Sequence, residues 1–262
     1  MPPLKTLLKT SLCAATILGG ALSFTGTTLA HDPAPAAPNE AEARPGFTLE
    51  MKRGEVLQVI ASENRPDGGT ARRTYGQSAF PIASSFGFQR LGQLNVSQNL
   101  ISDFAPEAFS FFSWPDQASV DAFGNHPDWP AIKATRPAAW SELKVYTAEL
   151  QDDLSLHFDP DKHYSLVVAW LKDDGSEDYA RYLSGIEAAV TREGGRFIYK
   201  MREPSLESHA SPPTAPNQLT FVEWDDTEGF ARVQQSPEYQ AHSQYFGSSV
   251  KRFEFYWMQT PR

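Results

Sequence analysis

The chain has 262 residues, 40% of them hydrophobic and 12% aromatic, with one cysteine and a formal net charge of −9. That composition excludes a disordered polypeptide, a disulfide framework and a thiolate zinc cage. The acidic balance argues against a nucleic-acid binder, because phosphate contacts need clustered Lys and Arg, and the length suits one large domain or two small ones.

Residues 1–30 read as a secretion signal. Lys5 and Lys9 supply the positive start, Leu12 to Leu22 the apolar stretch, and Thr28-Leu29-Ala30 the small residues before a cleavage point at His31. The apolar stretch is too short to span a bilayer, and no other run reaches the length of a membrane span. Acylation of Cys13 would make a lipoprotein, but Leu12 precedes it and it lies inside the apolar stretch. Cleavage leaves a thiol-free chain of charge −11 (21 basic and 32 acidic residues), expected in the periplasm or outside the cell. Residues 31–46, rich in Pro and Ala, read as a flexible leader.

The remainder shows an internal repeat. Residues 109–146 and 219–256 align without a gap at a shift of 110, with Phe111/Phe221, Trp114/Trp224, Asp116/Asp226, Pro127/Pro237, Ala131/Ala241 and Tyr146/Tyr256 identical. Upstream segments align at a shift of 107, matching Tyr75 to Tyr182 and Gly87 to Gly194. In the second copy, His163 to Leu171 is rich in β-branched and aromatic residues and reads as a strand. Ser176 is a candidate N-cap for a helix whose apolar face carries Tyr179, Tyr182, Leu183, Ile186, Ala189 and Val190. Gly194-Gly195 supplies a left-handed stop. Strands follow at Arg196 to Arg202 and Gln218 to Trp224, then a helix capped by Asp226, a helix opening at Ser236-Pro237, and a strand from Arg252 to Gln259. The order is βαββαβ, a ferredoxin-like unit. In the first copy Pro81 and Pro130 fall inside helices and should kink or shorten them.

The expected fold is α+β, with two tandem ferredoxin-like units at 47–150 and 151–262. Each leaves one sheet face bare, so the two sheets are expected to cover each other face to face as an intramolecular pseudo-dimer.

The run from Asn217 to Met258, with Glu223 ending the third strand and Ser236-Pro237-Glu238-Tyr239 opening a helix, resembles the family called domain of unknown function 1330. The resemblance implies the dimeric α/β-barrel superfamily, whose members include cofactor-free monooxygenases, isomerases, haem enzymes and plain binders. The first copy departs from the pattern, with Ser113 for Glu223 and His126-Pro127-Asp128-Trp129 for the tetrapeptide, so an inherited site is expected in the second.

Within that frame Glu223, ending an apolar strand, is a candidate acid or base. Tyr146 and Tyr256 occupy equivalent strand positions opposite the helix-packing face, flanked by Lys144 and Glu254, which are placed to form an ion pair. With Trp224 these residues are the candidate lining of a site between the sheets. His242 replaces Ile132 on a helix face and reads as a packed core residue; the haem-binding barrels suggest it as a haem ligand. The other histidines show no metal-ligand spacing, the carboxylates form no calcium loop, and neither a phosphate-cradling glycine motif nor a Gly-x-Ser-x-Gly elbow is present. No metal or cofactor is expected. The leading expectation is a small apolar or aromatic ligand held between the sheets. The alternatives are a cofactor-free enzyme, with Glu223 as base and Tyr256 positioning substrate, and an interaction module with a filled barrel.

Overall fold

The first half of the chain forms β1 (Phe47–Met51), β2 (Val56–Asn64), α1 (Gly69–Ser85), β3 (Gln89–Ile101), β4 (Ala108–Trp114), α2 (Gln117–Gly124), α3 (Trp129–Lys133), α4 (Arg136–Ala139) and β5 (Trp140–Glu149). The second half forms β6 (Leu154–Phe158), β7 (His163–Leu171), α5 (Ser176–Arg192), β8 (Gly195–Arg202), β9 (Ser205–Ser208), β10 (Gln218–Trp224), α6 (Gly229–Gln234), α7 (Pro237–Ser249) and β11 (Val250–Gln259). The structure, a computed structural model, describes residues 46–210 and 214–261. The predicted signal segment, and the predicted leader up to residue 45, lie outside the described residues.

Both halves carry the βαββαβ order, each preceded by a five-residue strand that the sequence pattern does not announce. Equivalent backbone positions use the same devices. Gly87 and Gly194 both end a helix at positive φ, 86° and 77°. Gly68 and Gly175 both precede a helix where a Cβ would meet a carbonyl oxygen, that of Ala139 at 2.3 Å and that of Ser249 at 2.5 Å. Gly175, and not Ser176, is therefore the N-cap of α5. Ser236 caps α7 as expected, its side chain accepting from the Tyr239 N–H, with Pro237 in the first turn. The cap of α6 is Glu228, while Asp226 binds the Glu228 N–H and the Arg232 guanidinium just ahead of it.

The prolines act differently from expectation. α1 contains Pro81 yet runs 17 residues, the length of α5. Pro81 and Gln77, whose carbonyl loses its partner, both lie on the exposed face, so the missing bond falls on the solvent side and leaves no buried orphan. Pro130 sits harmlessly in the first turn of α3. The break in the helix comes ahead of Pro137, which starts α4 where α7 has Gly247 and continues.

The two units do not stack two separate sheets. Nine strands form one antiparallel sheet in the order β8-β10-β7-β11-β3-β4-β2-β5-β9. The cause is the length of β3: its first half pairs with β4 of its own unit, and its second half runs on to pair with β11 of the other. β8 and β9 do the same in the second unit, β8 pairing with β10 and β9 with β5. Only Glu203, at φ 43°, and Pro204 separate β8 from β9, so the two ends of the strand order meet and the sheet returns on itself.

The inner face is a continuous core. It includes Leu57, Val59 and Ala61 of β2, Phe109 and Phe111 of β4, Leu166 and Val168 of β7, Leu219 and Phe221 of β10, and Tyr256 and Met258 of β11. β1 and β6 pair antiparallel with Leu49 opposite Leu156 and add both leucines to this core. Two outer cores lie beneath the helices, one under α5 and α7 and one under α1 to α3. The space between the sheets, which the sequence reading assigns to a ligand, is thus occupied by side chains.

Leu49→Ala and Leu156→Ala are each expected to cost about 2–5 kcal/mol, because neither strand of the pair can collapse into the void without leaving its partner. Urea unfolding measures this. Glu238 carries a second expectation. The Arg192 guanidinium beside it holds its carboxyl at about 2, below the ordinary 4.5. A lowered folded pKa stabilises above the unfolded value, so the advantage of wild type over Glu238→Gln is expected at pH 6 and should vanish as pH falls towards 2.

Candidate functional site

The strands β5 and β11 enter the sheet from equivalent positions and bring Lys144 and Glu254 together at one end of the barrel. Both are buried, and Lys144 Nζ lies 3.0 Å from Glu254 Oε1. Arg252 Nη2 reaches the same oxygen at 3.1 Å. The other oxygen, Oε2, lies 2.9 Å from Tyr256 Oη, which is also 2.8 Å from Ser102 Oγ. An ionised carboxylate only accepts, so the phenol donates to Glu254 and accepts from Ser102. Aromatic faces complete the cluster: Lys144 Nζ stands 4.1 Å above the Phe104 ring, and the Arg252 guanidinium 3.9 Å above Trp170.

Tyr146, the equivalent of Tyr256, is equally buried, but its Oη makes no hydrogen bond among the described residues. Burial, and then the Glu254 charge, push both phenols well above their ordinary pKa of 10, so both stay neutral. Neither is a base.

Above this floor opens a cavity of about 600 Å³, within the range of small-molecule sites. Its apolar wall is Ile101, Phe104, Leu206 and Phe253, and its charged wall is Glu63, Asp103, Glu142, Lys144, Arg252 and Glu254. Four carboxylates against two cations leave the wall acidic. Tyr146 and Tyr256 are not on that wall; Tyr256 reaches it through its hydrogen bonds to Glu254 and Ser102, and Tyr146 makes none among the described residues.

The remaining candidates sit elsewhere. Glu223 lies level with Tyr164 on β7, and Glu254 level with Val168, four residues or about 13 Å along the strand. Glu223 pairs with Arg196 at 3.0 Å at that far end, so it does not converge with the Tyr256 hydroxyl. Trp224 belongs to the core under α5 and α7, its Nε1 donating to Ser165 Oγ at 2.8 Å. Trp114 donates to Gln58 from the equivalent place, so both tryptophans do the same packing work. His242 packs over Gly185 in the α5–α7 contact with Nδ1 2.8 Å from the Glu238 carbonyl, on the outer side of the sheet. No cluster of three metal-binding side chains occurs among the described residues. Of the lining of the mouth the sequence suggested only Lys144 and Glu254. Ser102 and Phe104 follow β3 and reach Tyr256 because β3 crosses to the other unit.

The unequal tyrosines give a direct check. Tyr256→Phe removes a hydrogen bond to a charged group and should cost about 1.5–3 kcal/mol, whereas Tyr146→Phe removes an unpaired buried hydroxyl and should be neutral or stabilising. Chemical unfolding of the two variants measures the difference.

Among solved structures, one superposes well enough to support the fold. An anthrone oxidase-like protein superposes with a TM-score of 0.54 at 10% identity, over 82% of this chain and 94% of that one. A chlorite dismutase variant from Candidatus Nitrospira defluvii gives 0.43 at 11% identity, over 79% and 92%. A dimeric ferredoxin-like protein from Bacteroides fragilis gives 0.27 at 14%, over 38% and 96%. At such identities the likeness in the first case is one of fold alone. No curated protein matches the chain. Residues 164–251, from β7 to the start of β11, match the model of the family described as domain of unknown function DUF1330.

Proposed function

We propose that this is an exported binding protein that takes a small molecule at the mouth of the barrel rather than between the sheets. The observation that carries the reading is the open cavity of about 600 Å³ built over a buried Lys144–Glu254–Tyr256 network. Buried ion pairs add little net stability compared with apolar packing of the same volume. Their use here is to present fixed polar groups beside the apolar surfaces of Phe104 and Phe253. The filled interior serves stability and leaves the mouth for recognition. The acidic wall suits a ligand with an aromatic or apolar body and a basic or hydrogen-bond-donating group.

Export follows from the signal pattern of residues 1–30, and the two units read as a tandem duplication in which the second stays closer to the family. The enzyme alternative would use Glu223, which pairs with Arg196, and Tyr256, whose hydroxyl turns instead to Glu254 and Ser102.

Native mass spectrometry on protein recovered from the exported fraction is the test. The polypeptide is expected to begin at His31 and to carry a small-molecule adduct that Ser208→Trp, which fills the mouth, removes. A chain still starting at Met1, or an adduct retained by the filled variant, would contradict the proposal.

A further inference from the structure

The charges around the mouth cavity are unevenly matched. Both of its cations, Lys144 and Arg252, are committed to Glu254, at 3.0 and 3.1 Å. Glu63, Asp103 and Glu142 line the same cavity and pair with no Lys or Arg among the described residues. His209 stands 3.8 Å from Glu142, but its Nδ1 accepts the Leu143 N–H at 3.2 Å and its Nε2 donates to the Trp140 carbonyl at 3.3 Å, so the ring is neutral. Four carboxylates against two cations leave the wall two charges negative.

Two of the unmatched carboxylates face each other. Glu63 on β2 is directly opposite Glu142 on β5, and both share the inward parity of Ala61 and Lys144, two residues away on their strands. Like charges so placed, with Cβ atoms about 5 Å apart, destabilise a strand pair. The Glu142 side chain is only 14% exposed, which leaves little water to screen it. Neutral donors alone meet these oxygens: the Ala105 N–H and Ser141 Oγ on Glu63, and the Leu143 N–H and Ser208 Oγ on Glu142, each at 2.9 Å. Asp103, exposed at the rim, makes no hydrogen bond among the described residues.

The spread of the charge selects the kind of cation. No three metal-binding side chains among the described residues are close enough to hold one ion. Two ammonium groups joined by a methylene chain can serve separated carboxylates, and Ile101, Phe104 and Leu206 supply apolar surface for the chain.

We propose that the mouth binds a linear aliphatic diamine, with one ammonium between Glu63 and Glu142 and the other at Asp103. The inference names the ligand class for the binding site proposed above and rests on that reading. Two positive charges bring the wall to neutrality, and the first ammonium converts a repelling pair into charge-assisted hydrogen bonds.

The test titrates the mature protein with cadaverine by calorimetry at low ionic strength, with pentylamine, phenethylamine and Mg²⁺ as controls. Cadaverine is expected to bind at one site at least roughly tenfold more tightly than either monoamine, and to lose that advantage as salt is raised. Ser208→Trp should abolish its binding. If Ser208→Trp does not fold, Asp103→Asn decides: it changes an exposed side chain, so the thermal midpoint should stay the same, cadaverine should fall to the affinity of pentylamine, and pentylamine should be unaffected. Monoamines that bind as tightly as cadaverine, and are lost in Ser208→Trp, would overturn the diamine while leaving the mouth a binding site. With no amine bound the diamine is overturned, and the response of the native adduct to Ser208→Trp judges the mouth separately. Cadaverine binding that is unchanged in either variant, or displaced by an equal concentration of Mg²⁺, would also overturn the proposal.

Discussion

Wherever two equivalent units pack around an approximate two-fold axis, equivalent residues on that axis must face each other. Three such meetings run through this barrel: Leu49 against Leu156, Phe111 against Phe221 with centroids 5.8 Å apart, and Lys144 against Glu254. Apolar residues can meet their own kind, and the first two pairs are alike in character. A buried charge cannot meet a like charge, since repulsion would add to desolvation. The third pair is accordingly of opposite sign. The exchange extends one step along each strand, Glu142 of β5 being equivalent to Arg252 of β11. A unit paired with a copy of itself would bury Lys144 against lysine or Glu254 against glutamate. The two units are therefore matched to each other.

The same asymmetry places the polar groups of the molecule. The inner core can be apolar throughout because the charge exchange is confined to one end, and that end becomes the floor of the mouth cavity. On the outer face, a second departure from equivalence, Arg136 where the other unit has Phe246, borders a small aromatic-walled cavity beneath α1, α2 and α3 of the first unit. Both cavities thus lie where the two units differ, and the shared positions are spent on the fold.

What could be read from the sequence follows the range of the forces involved. α5 and α7, Gly194 and the Ser236 cap are local, set by periodicity, backbone conformation and a side chain three residues from its partner. The inward direction of Tyr146 and Tyr256 and the Lys144–Glu254 pairing follow from strand alternation combined with the repeat. β1, β6 and β9 were not legible, because strands of four or five residues are defined by partners about a hundred residues away or in the other unit. The joining of two sheets into one depends on β3 outrunning β4, a feature of tertiary pairing that leaves no mark on its own residues. Glu223 stood out as a carboxylate ending an apolar strand, and its pairing with Arg196 depends on a neighbouring strand that its own segment does not reveal.

The claim that the two units are matched through a buried ion pair is tested most directly by a double-mutant cycle on Lys144→Met and Glu254→Leu, read by chemical unfolding. Glu254→Leu leaves Lys144 buried without its carboxylate and should lose about 3–5 kcal/mol; Lys144→Met, which leaves Glu254 with Arg252 and Tyr256, should lose less, and the double variant should recover much of the Glu254→Leu loss, giving a favourable coupling. Additive losses, with the double variant as unstable as the sum of the two, would contradict it.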